Sequence, residues 1–231
     1  MTRVAVFASG NGTTLQAILD AFGPRADAAR SSAPVTVALV ISNNPEVYAL
    51  ERARLVGVPA VVVDHRRRAR EIFEADLAEV VDAHEIDVIC LAGFMRILTP
   101  GFVNRFRGRI LNTHPALLPA FGGEGMYGEH VHRAVLAAGV AVTGCTVHVV
   151  DEIPDGGPIV GQAGVPVLEG DTPETLAARV QIAERRLYPE IIRWWATGRI
   201  EVDGGRIILH PPIATPHPAG AATRSPEAVQ T

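Results

Sequence analysis

The chain has 231 residues, 48% hydrophobic and 20% charged, which is long enough to bury a sizeable core and too apolar for a disordered, collagen-like or coiled-coil protein. Its formal net charge is -4 with eight histidines neutral, so there is no basic excess to drive binding to a nucleic-acid backbone. All 21 basic residues are arginine, which excludes a Schiff-base lysine and a GxxxxGK[ST] phosphate loop. An anion must be held by arginine or by backbone amides.

In chain order, the N-terminal MTRVAVFASG passes from one Arg directly into β-branched alternation, without the apolar core and cleavage site of a signal peptide. Apolar stretches break well before about 18 residues, so no membrane span is expected and the protein reads as cytoplasmic. VAVFAS (4–9) is a strand that stops at Gly10, and TLQAILDAF (14–22) follows with helical spacing. The pattern recurs as VTVALVIS (35–42) into a helix near 46–56, VPAVVVD (58–64) into a helix near 69–83, and then DVICLAGF (87–94). Four parallel strands with helical crossovers are expected, and their near-continuous Val, Ile and Leu suits a sheet covered on both faces.

RILNTH (109–114) is a further strand; a Pro- and Gly-rich loop, a helix near 130–138 and the strand TGCTVHVV (143–150) come next. IVGQAGVPVL (159–168) should pair with that strand as a hairpin, because DEIPDGGP is too short for a crossover helix. Thr172 as N-cap with Pro173 at the first position starts a helix to about residue 197. The expected fold is α/β: a doubly wound, mostly parallel sheet with helices on both faces and antiparallel strands toward the C-terminal end. One domain is expected over 1–210 and a disordered tail over 211–231, which is rich in Pro, Ala, Ser and Thr. Cys90 and Cys145, each in an apolar run, read as buried thiols.

Three segments carry candidate chemistry. SGNGTT (9–14) places Gly10 and Gly12 before a helix, so the amides of Gly12, Thr13 and Thr14, with two hydroxyls beside them, can cradle a phosphate without lysine. A plain glycine turn is the alternative; a dinucleotide site fits less well, since Leu15 stands where GxGxxG needs its third glycine. LNTHPALLP (111–119) puts Asn112 and His114 two apart on a strand and hence on one face, able to donate a hydrogen bond and move a proton. DEIPDGGP (151–158) offers a carboxylate that could orient His114, or else forms an acidic surface hairpin.

In this order, SGNGTTLQAILDA, LERARLVGVPA, DVICLAGFMRILTPGFV, LNTHPALLPAFGG, GCTVHVVDEIPDGGPIVGQ and ERRLYPEIIRWW resemble the phosphoribosylglycinamide formyltransferase family of purine biosynthesis, over roughly residues 3–200. The resemblance implies the formyltransferase fold, with 10-formyltetrahydrofolate and glycinamide ribonucleotide as small-molecule substrates. It implies that Gly12, Thr13 and Thr14 hold the substrate phosphate and that Glu184 reaches its ribose or glycinamide end. Arg70, Met95, Arg96, Ile97, Leu98, Asn112, Asp151 and Asp155 would then bind the folate. Asn112, His114 and Asp155 would be catalytic, with His114 the general acid and Asp155 raising its pKa. Ala116 stands where the family often has Ser, and the 121–132 loop differs from the shorter loop of some members.

These residues also make chemical sense alone. Formyl transfer to an amine passes through a tetrahedral oxyanion, for which Asn112 and protonated His114 are donors, while His114 and Asp155 can shuttle the proton. No metal is required, and His130 and His132 form an isolated pair. His148, between Val147 and Val149, reads as a core histidine, RRRAR (66–70) as a solvated helix start, and Trp194 and Trp195 as packing. Competing readings are another folate formyltransferase, a formyltetrahydrofolate deformylase, or a non-catalytic nucleotide-binding module. The first two are expected to need further domains that this length does not accommodate. Monomer and homodimer both remain open.

Overall fold

A computed structural model describes residues 1–26, 34–203 and 205–211; most of the expected tail lies outside them. Its centre is a seven-stranded sheet: β1 (Thr2–Phe7), β2 (Val35–Ser42), β3 (Ala60–Val62), β4 (Val88–Leu91), β5 (Ile110–His114), β6 (Val142–Val149) and β7 (Ile159–Pro166), in spatial order β3-β2-β1-β4-β5-β6-β7. The first five strands are parallel; β6 runs antiparallel to β5, and β7 antiparallel to β6, as the short DEIPDGGP link requires.

The helices are α1 (Thr13–Phe22), α2 (Tyr48–Leu55), α3 (Arg70–Ala83), α4 (Pro100–Arg105), α5 (Glu129–Ala138) and α6 (Pro173–Ala196). Alternation along β1 shows why they cover both faces. Val4 and Val6 pack with Leu15, Ile18, Ala53 and Ile191 of α1, α2 and α6, whereas Ala5 and Phe7 pack with Phe73, Leu77 and Phe102 of α3 and α4. A third cluster, including Val131, Val135, Leu176 and Val180, joins α5 to α6. Thr172 caps α6, accepting from the Thr175 amide at 3.3 Å, and Pro173 begins it.

The structure departs from the expected elements in three places. The parallel set has five members rather than four, because α4 lets the chain cross back from β4 to β5. At six residues, with Thr99 as its N-cap, α4 is too short for periodicity to reveal. β3, at one edge of the sheet, has three paired residues, and its flanks leave the ladder. A hairpin of β8 (Ile200–Asp203) and β9 (Arg206–Leu209) follows α6, where no element was expected. No helix among the described residues is long and apolar enough to cross a membrane.

Order reverses at β1: the chain moves outward through β2 and β3, then returns to β1's other side as β4. The carboxyl ends of β1 and β4 therefore flank a crevice, where doubly wound sheets bind ligands. Tyr188 of α6, fully buried, steadies that edge by sharing its hydroxyl proton between the Leu111 carbonyl at 2.9 Å and the Leu91 carbonyl at 3.2 Å. Tyr188→Phe should lower the unfolding free energy by about 1–2 kcal/mol with an unchanged urea m value. An unchanged urea midpoint would show that this hydroxyl does not tie β4 to β5.

Candidate active site

The crevice is a cleft of about 1280 Å³ running from the start of α1, past the end of β5, to the segments 95–98 and 151–155. At its first end Gly12 caps α1 in the left-handed conformation (φ 67°), with no side-chain cap on the helix. The opening amides of α1 therefore face the cleft at the positive end of the helix dipole, with no acidic residue in the first turn. Glycine is required twice over: its φ is positive, and a Cβ would lie 2.9 Å from the Ala49 Cβ of α2. Arg52 braces the turn, its Nε donating to the Asn11 carbonyl at 2.7 Å and its Nη1 to the Gln16 side chain at 2.9 Å.

The hydroxyl of Thr14 is not open to a ligand, as the sequence suggests, but donates to Glu184 Oε1 at 2.9 Å. Glu184 is 8% exposed, and burial raises its carboxyl pKa against the opposing pull of this hydrogen bond. Ser9 was not singled out from the sequence, yet its hydroxyl joins three strand ends. It donates to Asn43 Oδ1 at 2.6 Å and accepts from the Met95 amide at 2.8 Å.

Asn112 and His114 share a face of β5, as their spacing predicts, and both line the cleft. His114 is 3% exposed. Its Nε2 donates to the Phe121 carbonyl at 2.8 Å, and its Nδ1 lies 3.3 Å from Asp155 Oδ2. Asp155 reaches this point from a left-handed residue (φ 56°) and accepts from the Gly123 amide at 3.0 Å. The turn after β5 is held by buried Thr146, whose hydroxyl donates to the Ala116 carbonyl at 2.7 Å and accepts from the Leu118 amide at 3.0 Å. Ala116 is itself fully buried, so a serine there would face the core rather than the cleft.

The expectation that Asp155 lifts the His114 pKa above normal is overturned. Burial pulls it below the ordinary histidine value, and the Asp155 charge and Phe121 carbonyl, which both favour the proton, offset this only in part. The ring carries a proton on Nε2, donated to the Phe121 carbonyl, and its Nδ1 faces Asp155. Burial also opposes the Asp155 charge, but the neighbouring imidazoles of His148 and His114 and the Gly123 amide hold that carboxyl below its usual range.

His148 belongs to the site and not merely to the core. The β5–β6 register sets it opposite Asn112. Its Nδ1 donates to the Val149 carbonyl at 3.2 Å, so Nε2 accepts from the Asn112 amide at 3.1 Å; Asp155 Oδ1 lies 3.6 Å away. His132 is buried on α5 at the cleft wall, and its Nδ1 has no hydrogen-bond partner among the described residues. Met95, Arg96, Ile97, Leu98, Asp151 and Asp155 line the second end. Asp151 also accepts from the Ile153 amide at 2.9 Å, shaping its own loop. Arg70, expected to touch a ligand, is not among the residues that line the cleft; its Nη2 donates to the Ile97 carbonyl.

Residues 2–192 match the formyl transferase family model. The chain is 40% identical over 201 residues to phosphoribosylglycinamide formyltransferase of Escherichia coli, covering 87% of this chain and 90% of that one. It is 42% identical over 207 residues to the trifunctional purine biosynthetic protein adenosine-3 of Bos taurus, covering 89% of this chain but only 19% of that protein. The chain thus spans about a fifth of the trifunctional relative's length. The crystal structure of glycinamide ribonucleotide transformylase 1 from Symbiobacterium toebii superposes with a TM-score of 0.83 at 46% identity, covering 91% of this chain and 95% of that one.

Titration of His114 tests the electrostatics. Its midpoint, read from ring-proton shifts, should lie below that of free histidine, and Asp155→Asn should move it lower still by removing a charge that favours the proton. Since the folded pKa lies below the unfolded one, the stability linked to this ring is complete above about pH 6.5 and is lost as pH falls toward the folded value. A wild-type midpoint above that of free histidine would show that Asp155 outweighs burial.

Proposed function

Because this chain belongs to the formyl transferase family, we propose that it moves the formyl group of 10-formyltetrahydrofolate onto the amine of glycinamide ribonucleotide, a step of purine biosynthesis. The observation that carries the reading is the position of Asn112, His114 and Asp155 midway along one cleft, between a helix N-terminus and a mostly apolar wall. An anionic ribonucleotide suits the first end and a folate ring system the second, which brings the amine and the formyl carbon together at His114.

Gly12, Thr13 and Thr14 take the phosphate through backbone amides, while Glu184 faces the sugar and glycinamide portion. The folate lies against Met95, Arg96, Ile97 and Leu98 and the 151–155 loop. Attack by the amine nitrogen forms the new C–N bond and drives the carbonyl π pair onto oxygen. One Asn112 N–H is committed to His148, and the second is free to donate to that oxygen.

The amine must lose one proton and the departing folate nitrogen must gain one. Neutral His114 accepts the first proton at Nδ1, the nitrogen not donating to Phe121, and the resulting imidazolium is stabilised by Asp155 and the Phe121 carbonyl. His114 then acts as the acid when the C–N bond to folate breaks. Its lowered pKa fits this order, since a ring already charged at rest could not accept the amine proton.

Mixing the protein with both substrates and following folate absorbance should show turnover that requires the ribonucleotide. His114→Ala and Asp155→Asn should each lower kcat by roughly 10² to 10⁴, and the double variant little further, because the two act as one unit. Formyl release without the ribonucleotide would indicate a deformylase, and no turnover a binding module. Losses that multiply in the double variant would overturn the shared proton path.

A further inference from the structure

We propose that Glu74 is a positioning residue that, with Arg70, fixes the cleft wall at 95–98 in the shape that receives the folate; the inference rests on the formyl-transfer reading. Glu74 lies on α3, away from the reacting groups, yet it is a carboxylate only 5% exposed. A buried carboxylate is costly unless its oxygens are satisfied. Those of Glu74 are satisfied by one place in the chain: Oε1 accepts from the Thr99 amide at 2.8 Å and Oε2 from the Thr99 hydroxyl. Arg70, one helical turn earlier, sets its Nε 3.7 Å from Glu74 Oε1 and donates from Nη2 to the Ile97 carbonyl.

One turn of α3 therefore grips the 97–99 backbone at an amide, a hydroxyl-bearing residue and a carbonyl. This grip matters because residues 94–99 belong to no helix or strand, so no ladder of their own sets their shape. Thr99 passes the constraint on, accepting from the Phe102 amide at 3.4 Å as the N-cap of α4. On the cleft side Met95 and Ile97 are each 57% exposed, while Phe94 and Leu98 pack inward with Phe73 and Phe102. The apolar surface offered to a ligand is thus held from behind by a buried carboxylate. That carboxylate touches nothing at the phosphate end.

Glu74→Gln keeps the volume but removes the charge and one acceptor. It should raise the KM for 10-formyltetrahydrofolate about tenfold, with kcat and the KM for the ribonucleotide within about twofold of wild type. The Kd for 10-formyltetrahydrofolate, measured by calorimetry, should weaken in step. Thr99→Val should reproduce the effect and Thr99→Ser should retain nearly wild-type values. The Glu74→Gln/Thr99→Val double variant should be no worse than the poorer single one. If Glu74→Gln fails to fold, the Thr99 pair carries the test. Equal rises in both KM values, or a fall in kcat at unchanged folate affinity, would overturn the brace. A wild type that binds no folate would overturn the formyl-transfer reading and the brace with it, whereas variants that bind as tightly as a folate-binding wild type would overturn the brace alone.

Discussion

The site depends on the reversal of strand order at β1. With β2 on one side and β4 on the other, the loops leaving β1 and β4 must part, and the gap between them is the cleft. Ser9 holds that gap at a fixed width, since its hydroxyl is shared by Asn43 after β2 and Met95 after β4. Appending β6 antiparallel to β5 adds what a purely parallel sheet would not. It returns His148 to Asn112 and sends the 151–155 loop over the same edge, so that Asp155 meets His114 from above.

Burial and charge compete at that meeting point, and burial wins at His114. The arrangement resolves an apparent conflict between holding a base and building an acid. Both ring nitrogens face acceptors, the Phe121 carbonyl and Asp155, so the charged form is hydrogen-bonded when it arises although burial keeps it scarce at rest. A more exposed ring would carry its charge too readily, and one without Asp155 would not hold it through the reaction.

Much of this was legible in the sequence because it rests on local rules. Val4 and Val6 against Ala5 and Phe7 is a two-sided strand, Gly12 before Thr13 opens a helix, and Thr172-Pro173 starts another. The spacing of Asn112 and His114 gave their common face directly. What was not legible depends on partners distant along the chain. No local pattern says that His148 pairs across from Asn112, that Thr14 turns its hydroxyl to Glu184, or that Arg70 donates to the Ile97 carbonyl. The His114 shift failed for the same reason: the carboxylate beside it can be guessed from the motifs, but the depth of burial that outweighs it is set by the surrounding fold.

The two ends of the cleft use different means for chemically different tasks. Without lysine, the end of the cleft at the start of α1 offers an anion backbone amides, and Arg52 braces the turn that presents them. Its guanidinium is committed to the Asn11 carbonyl and Gln16, and it stacks over Tyr48 with 4.7 Å to the ring centroid. Amide donors fixed by a helix and a left-handed glycine select by geometry, which suits a small tetrahedral anion. The opposite wall is irregular chain with exposed Met95 and Ile97, so it must select by shape and apolar contact, and shape there is imposed from outside by α3. The groups at the centre sit between, Asn112 and His114 on β5 and Asp155 on the loop after β6. On the proposed reading, a centre between one end that selects by directed amides and another that selects by surface would let two unlike substrates be placed independently on His114 and Asp155.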